Sequence, residues 1–287
     1  MTKRPVIDLH MHSTVSDGTD TPMELLEKVK EKGIEIFSIT DHDATKAANM
    51  MKDYIKGESV KFISGVEFSS RDEQGRYHIL GYGYDPEGKS INDMVEHSHE
   101  LRMQKVHARI DFLKDEFGFT FSQEDLYKLL AKDNPGKPHI AKMMVAYGYA
   151  PTKEVAIEQY LNKKKFKGGY VDPRDVIEAI LGSGGIPVLA HPTYGNGDQL
   201  IVGDEMDGRI RRLISYGLKG LEGFYSGFTL KIQKEILGFA AQYGLYVTAG
   251  SDYHGKNKMV ILGDNNLDPE EEYPEGLVRF LEEVRYY

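Results

Sequence analysis

Short β-rich apolar runs alternate with helical stretches along most of this chain, and that alternation restricts the fold more than any other feature. Seven runs read as strands: residues 6–10, 34–40, 60–68, 77–84, 186–190, 218–225 and 245–250. Between them lie helical segments. Pro22 opens one at its first turn and Gly33 stops it; others span 174–181, 205–215 and 229–243. Strand and helix alternating at this pitch give a mostly parallel sheet with helices outside it. Seven strands in 287 residues suit an α/β barrel better than an open sheet. Residues 90–165 break the rhythm with helical patterning only. The expected organisation is therefore a barrel built from 1–89 and 166–287, with a helical subdomain inserted at 90–165 that shapes the substrate pocket.

Composition narrows the function classes. The sequence is 40% hydrophobic and 28% charged, the balance of a soluble globular protein with a sizeable core. No apolar run approaches the roughly 20 residues that span a bilayer, and no signal-like segment precedes the first strand. There is no cysteine, hence no disulfide framework, thiolate nucleophile or zinc–thiolate site. A cytoplasmic protein with no membrane association and no obligate protein partner is expected. The net charge of −9 argues against a broad grip on a nucleic-acid backbone. It leaves room for a small phosphorylated substrate, since a carboxylate pocket that binds cations attracts anions.

The strand ends carry the chemistry. The first run holds His10 and His12 two residues apart, on one side of an extended chain, with Asp17 in the next loop. The second runs into Asp41 and His42, the third into Glu67, the fifth into His191, and the seventh into Asp252 and His254. In a parallel barrel these ends share one face. His78 begins its run instead. A hairpin over 69–76 that pairs Ser70 with Gly75 sets Glu67 opposite His78, and a register shifted by two keeps both on one face. His10, His12, Asp17, His42, Glu67, His78, His191, Asp252 and His254 are then nine nitrogen and carboxylate donors at one rim. They suit Mn, Fe or Zn better than Mg, and nine suffice for two or three ions sharing carboxylates. Any one of these histidines could be a hydrogen-bonded rim residue, but six of the ten in the chain at one rim call for metal. His97, His99 and His107 lie in a charged helical stretch and read as a solvated face. His139, near a helix start, reads equally as a cap or as a substrate contact.

The segments DLHMHSTVSDGTDTP, ITDHD, GVEFS, HILGY, GGIPVLAHP and GSDYHG together resemble the polymerase and histidinol phosphatase (PHP) family, in order from about residue 6 to 255. More narrowly they resemble its bacterial phosphoesterases, including nucleoside 3′,5′-bisphosphate phosphatases. The resemblance implies a distorted (β/α)7 barrel with a trinuclear metal centre whose ligand positions coincide with the nine donors. Where the bisphosphate phosphatases often carry Arg-Pro-His, this chain has Lys137-Pro138-His139, making Lys137 and His139 candidate substrate contacts. A basic residue that many relatives place soon after the His-Pro pair is missing: no Lys or Arg follows His191 until Arg209.

The expected activity is hydrolysis of a phosphate ester of a small nucleotide by in-line attack of a metal-bridging hydroxide, without a covalent intermediate. Glu67 is the expected bridging carboxylate, Asp252 a ligand and proton acceptor, and Asp41 an orienting group or a strand-end cap. The competing readings are a 5′–3′ exonuclease on short oligonucleotides, a metal-dependent amide or ring hydrolase, and a non-catalytic module. The full donor set argues against the last.

Overall fold

The computed structural model describes residues 4–166, 168–195 and 199–287. The chain forms two compact units, Met1–Val95 with Val171–Tyr287, and Glu96–Tyr170. In order, the elements are β1 (Ile7–Asp8), α1 (Pro22–Glu31), β2 (Ile36–Phe37), α2 (Lys46–Tyr54), β3 (Lys61–Phe62), β4 (Gly65–Asp72) and β5 (Gly75–Tyr82). Then come α3 (Lys89–Phe117), α4 (Gln123–Leu130), α5 (Lys137–Ala146), α6 (Lys153–Gln159) and α7 (Pro173–Gly182). The chain continues through β6 (Ile186–Leu189), α8 (Gly203–Tyr216), β7 (Gly220–Tyr225), α9 (Leu230–Tyr243), β8 (Tyr246–Gly250) and α10 (Glu275–Glu283).

Local signals explain the boundaries. Thr21 and Glu24 close a capping box on α1, with Pro22 in its first turn, and Gly33 follows its end at φ 66°. Asp172 caps α7 and Thr229 caps α9, which gives way to Gly244 at φ 62°.

The first unit carries two sheets. β1, β2 and β3 are parallel neighbours, and β4 to β8 form a second sheet in sequence order. β5 runs antiparallel to both β4 and β6, whereas β6, β7 and β8 are parallel. The α/β class is as expected, but the single run expected over 60–68 is two strands. Gly65 explains the break. A Cβ there would stand 2.1 Å from Ser38 Oγ, so the chain passes hard against the segment after β2, and the regular ladder is interrupted until His42 meets Glu67. The β4–β5 register pairs Asp72 with Gly75 and Ser69 with His78, the shifted one of the two registers considered. Glu67 and His78 keep one face.

Isolated parallel bridges, Met11 with Tyr253 and His42 with Glu67, link the margins of the two sheets. Backbone bonds accompany them: Leu9 N–H donates to Ala249, His12 N–H to Tyr253 (2.9 and 2.8 Å) and Asp43 N–H to Glu67 (2.9 Å). Past β1 the extended chain buries both alternating sets. Ile7, Leu9 and Met11 go to one side, Asp8, His10 and His12 to the other.

The second unit has its own core on α3 to α6, including Val106, Leu113, Leu129, Ile140 and Met144. Among the described residues no helix is long and apolar enough to cross a membrane.

Candidate metal centre

Glu67 on β4 is the hub of the site. It is 1% exposed, and imidazole nitrogens crowd both of its oxygens. Oε1 lies 2.8 Å from His78 Nδ1 and 3.1 Å from His191 Nε2. Oε2 lies 3.1 Å from His42 Nδ1, 3.3 Å from His12 Nε2 and 3.4 Å from His10 Nε2. These donors form two compact groups, His10–His12–Glu67 and His42–Glu67–His78. A third joins His12, Asp17, His42 and His254, with Asp17 Oδ1 3.3 Å from His254 Nε2. Asp252 Oδ1 faces His12 Nε2, His254 Nδ1 and His10 Nε2 at 3.4, 3.4 and 3.6 Å. All nine donors singled out in the sequence therefore lie in one constellation.

The backbone is bent to make it. His191 and Asp252 hold positive φ, 26° and 61°, as does Asp43 beside His42 at 50°. Non-glycine residues rarely adopt such angles, and here they accumulate at the donors. β8 closes on His10 through Gly250, where a Cβ would stand 2.1 Å from the His10 Cβ.

Electrostatics divide the histidines. Burial alone would push His10 and His12 down. Glu222, Glu67 and Asp252 outweigh it at His10, which is held well above its usual value. Bonds with Asp252 and Glu67 do the same at His12, pushed up to about 9. Burial wins at His42, pushed down to about 3, and at His78 and His254, which are lowered. Although burial opposes it, the imidazoles hold Asp17, Glu67 and Asp252 well below the usual carboxylate range.

The residues fit metal ions. Nε2 of His10 and of His12 are fully buried and face carboxylate oxygens at 3.3–3.6 Å without a well-formed hydrogen bond, an arrangement that native interiors avoid unless something else binds there. The donors are imidazoles and carboxylates only, the set that suits Mn, Fe or Zn.

Other residues support the shell. Glu222, fully buried on β7, takes Nδ1–H of His10 at 2.8 Å on Oε1 and the His191 N–H at 2.8 Å on Oε2. This fixes the His10 tautomer and turns Nε2 towards Glu67. Asp41 accepts from Ser13 N–H (2.8 Å), Ser13 Oγ (2.6 Å) and Ser16 Oγ (2.6 Å), and feels the charge of His12. Asp8 accepts from Ser251 N–H and Oγ and from Gly263 N–H, at 2.9, 2.6 and 2.8 Å. Asp252 Oδ2 accepts from Tyr225 OH at 2.9 Å and Lys258 Nζ at 2.6 Å. A cavity of about 390 Å³ opens at the His78–His191–Asp252 edge, lined also by Arg76, Tyr194, Tyr225 and Lys258.

Sequence reasoning missed Glu222, Asp8, Arg76 and Lys258. Glu222 left one signal, a lone carboxylate inside an apolar strand run. The two candidate substrate contacts belong to the second unit. There Lys137 Nζ donates to Asn162 at 2.6 Å, and His139 Nδ1 accepts the Gly136 N–H at 3.2 Å, capping α5.

Several proteins are similar to this chain. A phosphoribosyl 1,2-cyclic phosphate 1,2-diphosphodiesterase from Eggerthella lenta is 31% identical over 260 residues, 87% of this chain and 94% of that one. A 5′-3′ exoribonuclease from Haemophilus influenzae is 29% identical, covering 92% and 95% of the two chains. A 3′,5′-nucleoside bisphosphate phosphatase from Chromobacterium violaceum is 28% identical, covering 86% and 87%. The crystal structure of a putative metal-dependent phosphoesterase from Bifidobacterium adolescentis superposes with a TM-score of 0.79 at 29% identity, covering 93% and 94%. Residues 8–175, which hold six of the nine donors, match the PHP domain, and the chain accordingly belongs to the PHP family of metal-dependent phosphoesterases.

Proposed function

We propose that this protein hydrolyses phosphate esters of small nucleotides, a nucleoside 3′,5′-bisphosphate foremost, with two or three Mn, Fe or Zn ions. The observation that carries the reading is the convergence of five imidazoles on the buried Glu67 carboxylate. A carboxylate so placed is suited to being shared between ions. On this reading the two sheets form one distorted barrel, with β3 and β4 as halves of its third strand. The bridges Met11–Tyr253 and His42–Glu67 support it.

Bound ions would supply a water that is nucleophilic at neutral pH and would neutralise the phosphoryl oxygens. The chain's own residues do the rest. His10, His12, Asp17, His42, His78, His191 and His254 would hold the ions together with Glu67. Asp252 offers Oδ1 to the same donors and keeps Oδ2 on Tyr225 and Lys258, and is proposed as a ligand and as the proton acceptor. Asp41 fastens Ser13 and Ser16, and through them the loop that carries Asp17. Lys137 and His139 are proposed as further substrate contacts, Lys137 as a point charge rather than a fork.

The exoribonuclease relative favours a second reading, trimming of short RNA. A substrate panel separates the two: adenosine 3′,5′-bisphosphate, p-nitrophenyl phosphate, its bis-ester, a short 5′-phosphorylated RNA and an amide. The bisphosphate should turn over fastest. Faster shortening of RNA would select the second reading, and turnover of the amide alone would overturn both.

A further inference from the structure

The donors are not all carried alike. Glu67 belongs to β4 and His78 to β5, and the parallel bridge between His42 and Glu67 sets the segment after β2 beside them. The group of His12, Asp17, His42 and His254 shares its two other histidines with the groups around Glu67 and adds two donors of its own, Asp17 and His254. Both added donors sit on loops. Asp17 lies in residues 13–20, after β1, and His254 in residues 251–257, after β8. Asp17 has the most exposed side chain of the four, at 27%.

A clasp joins the two loops. Thr19 Oγ1 accepts the Lys256 N–H at 3.0 Å, and Asn257 Nδ2 donates to the Asp17 carbonyl at 2.7 Å. Tyr253 OH and Lys28 Nζ both donate to Asp20 Oδ2, at 2.8 and 2.7 Å. Between these bonds the chains nearly touch: Gly255 holds φ 63°, and a Cβ there would stand 2.0 Å from Thr19 Oγ1. Thr19, Lys256 and Asn257 are exposed, whereas His12 and His254 are buried. A clasp on the solvent side adds nothing to the apolar core; it sets the spacing of the loops.

We infer that Thr19, Gly255 and Asn257 are positioning residues that hold Asp17 against His254, and that the ion these two loops hold is the exchangeable one of the centre. The inference rests on the metal-binding reading above and deepens it. Asp17 Oδ1 and His254 Nε2 stand 3.3 Å apart, and both reach one ion only while the loops keep that spacing. A loop opens locally at lower cost than a strand ladder, so an ion held there leaves before those at Glu67. The centre is then two-tiered. Ions shared by Glu67 stay, and occupancy of the loop-borne site follows the supply of metal.

Titration of chelator-stripped protein with Mn, with free Mn read by electron paramagnetic resonance, tests this without any substrate. Wild type should bind one ion more weakly than the rest. Thr19→Val and Asn257→Ala should weaken that ion alone by roughly 10- to 100-fold, as loss of an outer support does. Gly255→Ala should act in the same direction by driving a methyl group against Thr19. Thr19→Ser keeps the accepting hydroxyl and should bind as wild type does. Equal affinities for every ion in wild type would overturn the two tiers. Variants that bind every ion as wild type does, variants that weaken all ions equally, or a Thr19→Ser protein as impaired as Thr19→Val would overturn the clasp while the metal centre stands. Wild type that binds no Mn would overturn the metal reading and the clasp with it.

Discussion

Asp8 and Asp41 lie in the floor beneath the histidine cluster, whereas Glu67 and Asp252 lie among the imidazoles at its mouth. All four are 4% exposed or less. Their neighbours differ. The floor carboxylates accept from serine hydroxyls and backbone N–H groups, and burial raises both from their usual value despite those bonds and, at Asp41, despite the charge of His12. The mouth carboxylates face imidazole nitrogens, and are held well below that range although burial opposes it. A buried carboxylate whose lone pairs are already taken by neutral donors ties the chain together. One surrounded by bare imidazole nitrogens is placed to share a cation with them. The site is built from both kinds, a fastened floor that ties together the segments after β1 and β2 and the end of β8, and a mouth whose donors are able to hold metal.

The largest effect should come from the mouth. His12→Ala and Asp252→Ala are expected to lower turnover on the order of 1,000-fold, with circular dichroism little changed, because neither side chain belongs to the apolar core. A folded, fully active variant would remove that residue from the site. Next comes the floor. Asp41→Ala leaves two hydroxyls and a backbone N–H without their acceptor and should cost about 2–4 kcal/mol in denaturant unfolding. Turnover per folded molecule should drop less than in His12→Ala, through Ser16, which lies 3.4 Å from both His12 Nδ1 and Asp17 Oδ1. A stable Asp41→Ala protein with turnover as low as His12→Ala would erase the distinction between floor and mouth.

Glu222→Gln sits between the two regions. An amide can present either its oxygen or its NH2 to His10, so the tautomer is no longer imposed, and ion affinity should weaken roughly 10- to 100-fold. Titration of bound metal reads this directly.

The pH dependence of the chelated protein sharpens the same comparison. The folded-state value of His12, about 9, lies above its ordinary 6.5. The stability His12 contributes is therefore complete below pH 6.5 and lost as pH rises towards about 9, and His10, also raised, acts in the same direction. His42, His78 and His254 are lowered, so they favour the fold more as pH rises, a gain that is complete just above 6.5. Melting temperature without metal should fall from about pH 7.5 to 9. Bound ions take the place of those protons and should remove the fall; an unchanged slope with ions present would separate His10 and His12 from the metal. The smallest effect is expected at Lys137, already bonded to Asn162: Lys137→Ala should lower kcat/KM for the bisphosphate roughly tenfold at most.

The mouth was legible in the sequence because its donors sit where apolar runs end, and strand ends in an α/β fold share a rim. Even His78, at the start of its run, was placed by period-two reasoning, since a register slip of two residues preserves the face. Of the floor only Asp41 was legible, as an orienting group or strand-end cap beside His42. Asp8 precedes Leu9 like any polar residue in an alternating strand, and its partners Ser251 and Gly263 are more than 240 residues away. Glu222 was not singled out: it is a lone carboxylate within an apolar run, and nothing in that pattern says that every residue of β7 is buried. The break between β3 and β4 escaped notice because it depends on how closely Gly65 approaches Ser38, a tertiary distance. Arg76 and Lys258 were missed for a related reason: long side chains reach a cavity from segments with no motif of their own.

The central claim is that Glu67 is shared between ions held by the surrounding histidines. Elemental analysis of protein purified without chelator and then reconstituted with Mn, Fe or Zn, beside Glu67→Gln treated identically, tests it most directly. The account predicts more than one equivalent of metal per chain in wild type and a clear loss in the folded variant. Wild type that stays metal-free after reconstitution, or Glu67→Gln that retains the full complement, would contradict it.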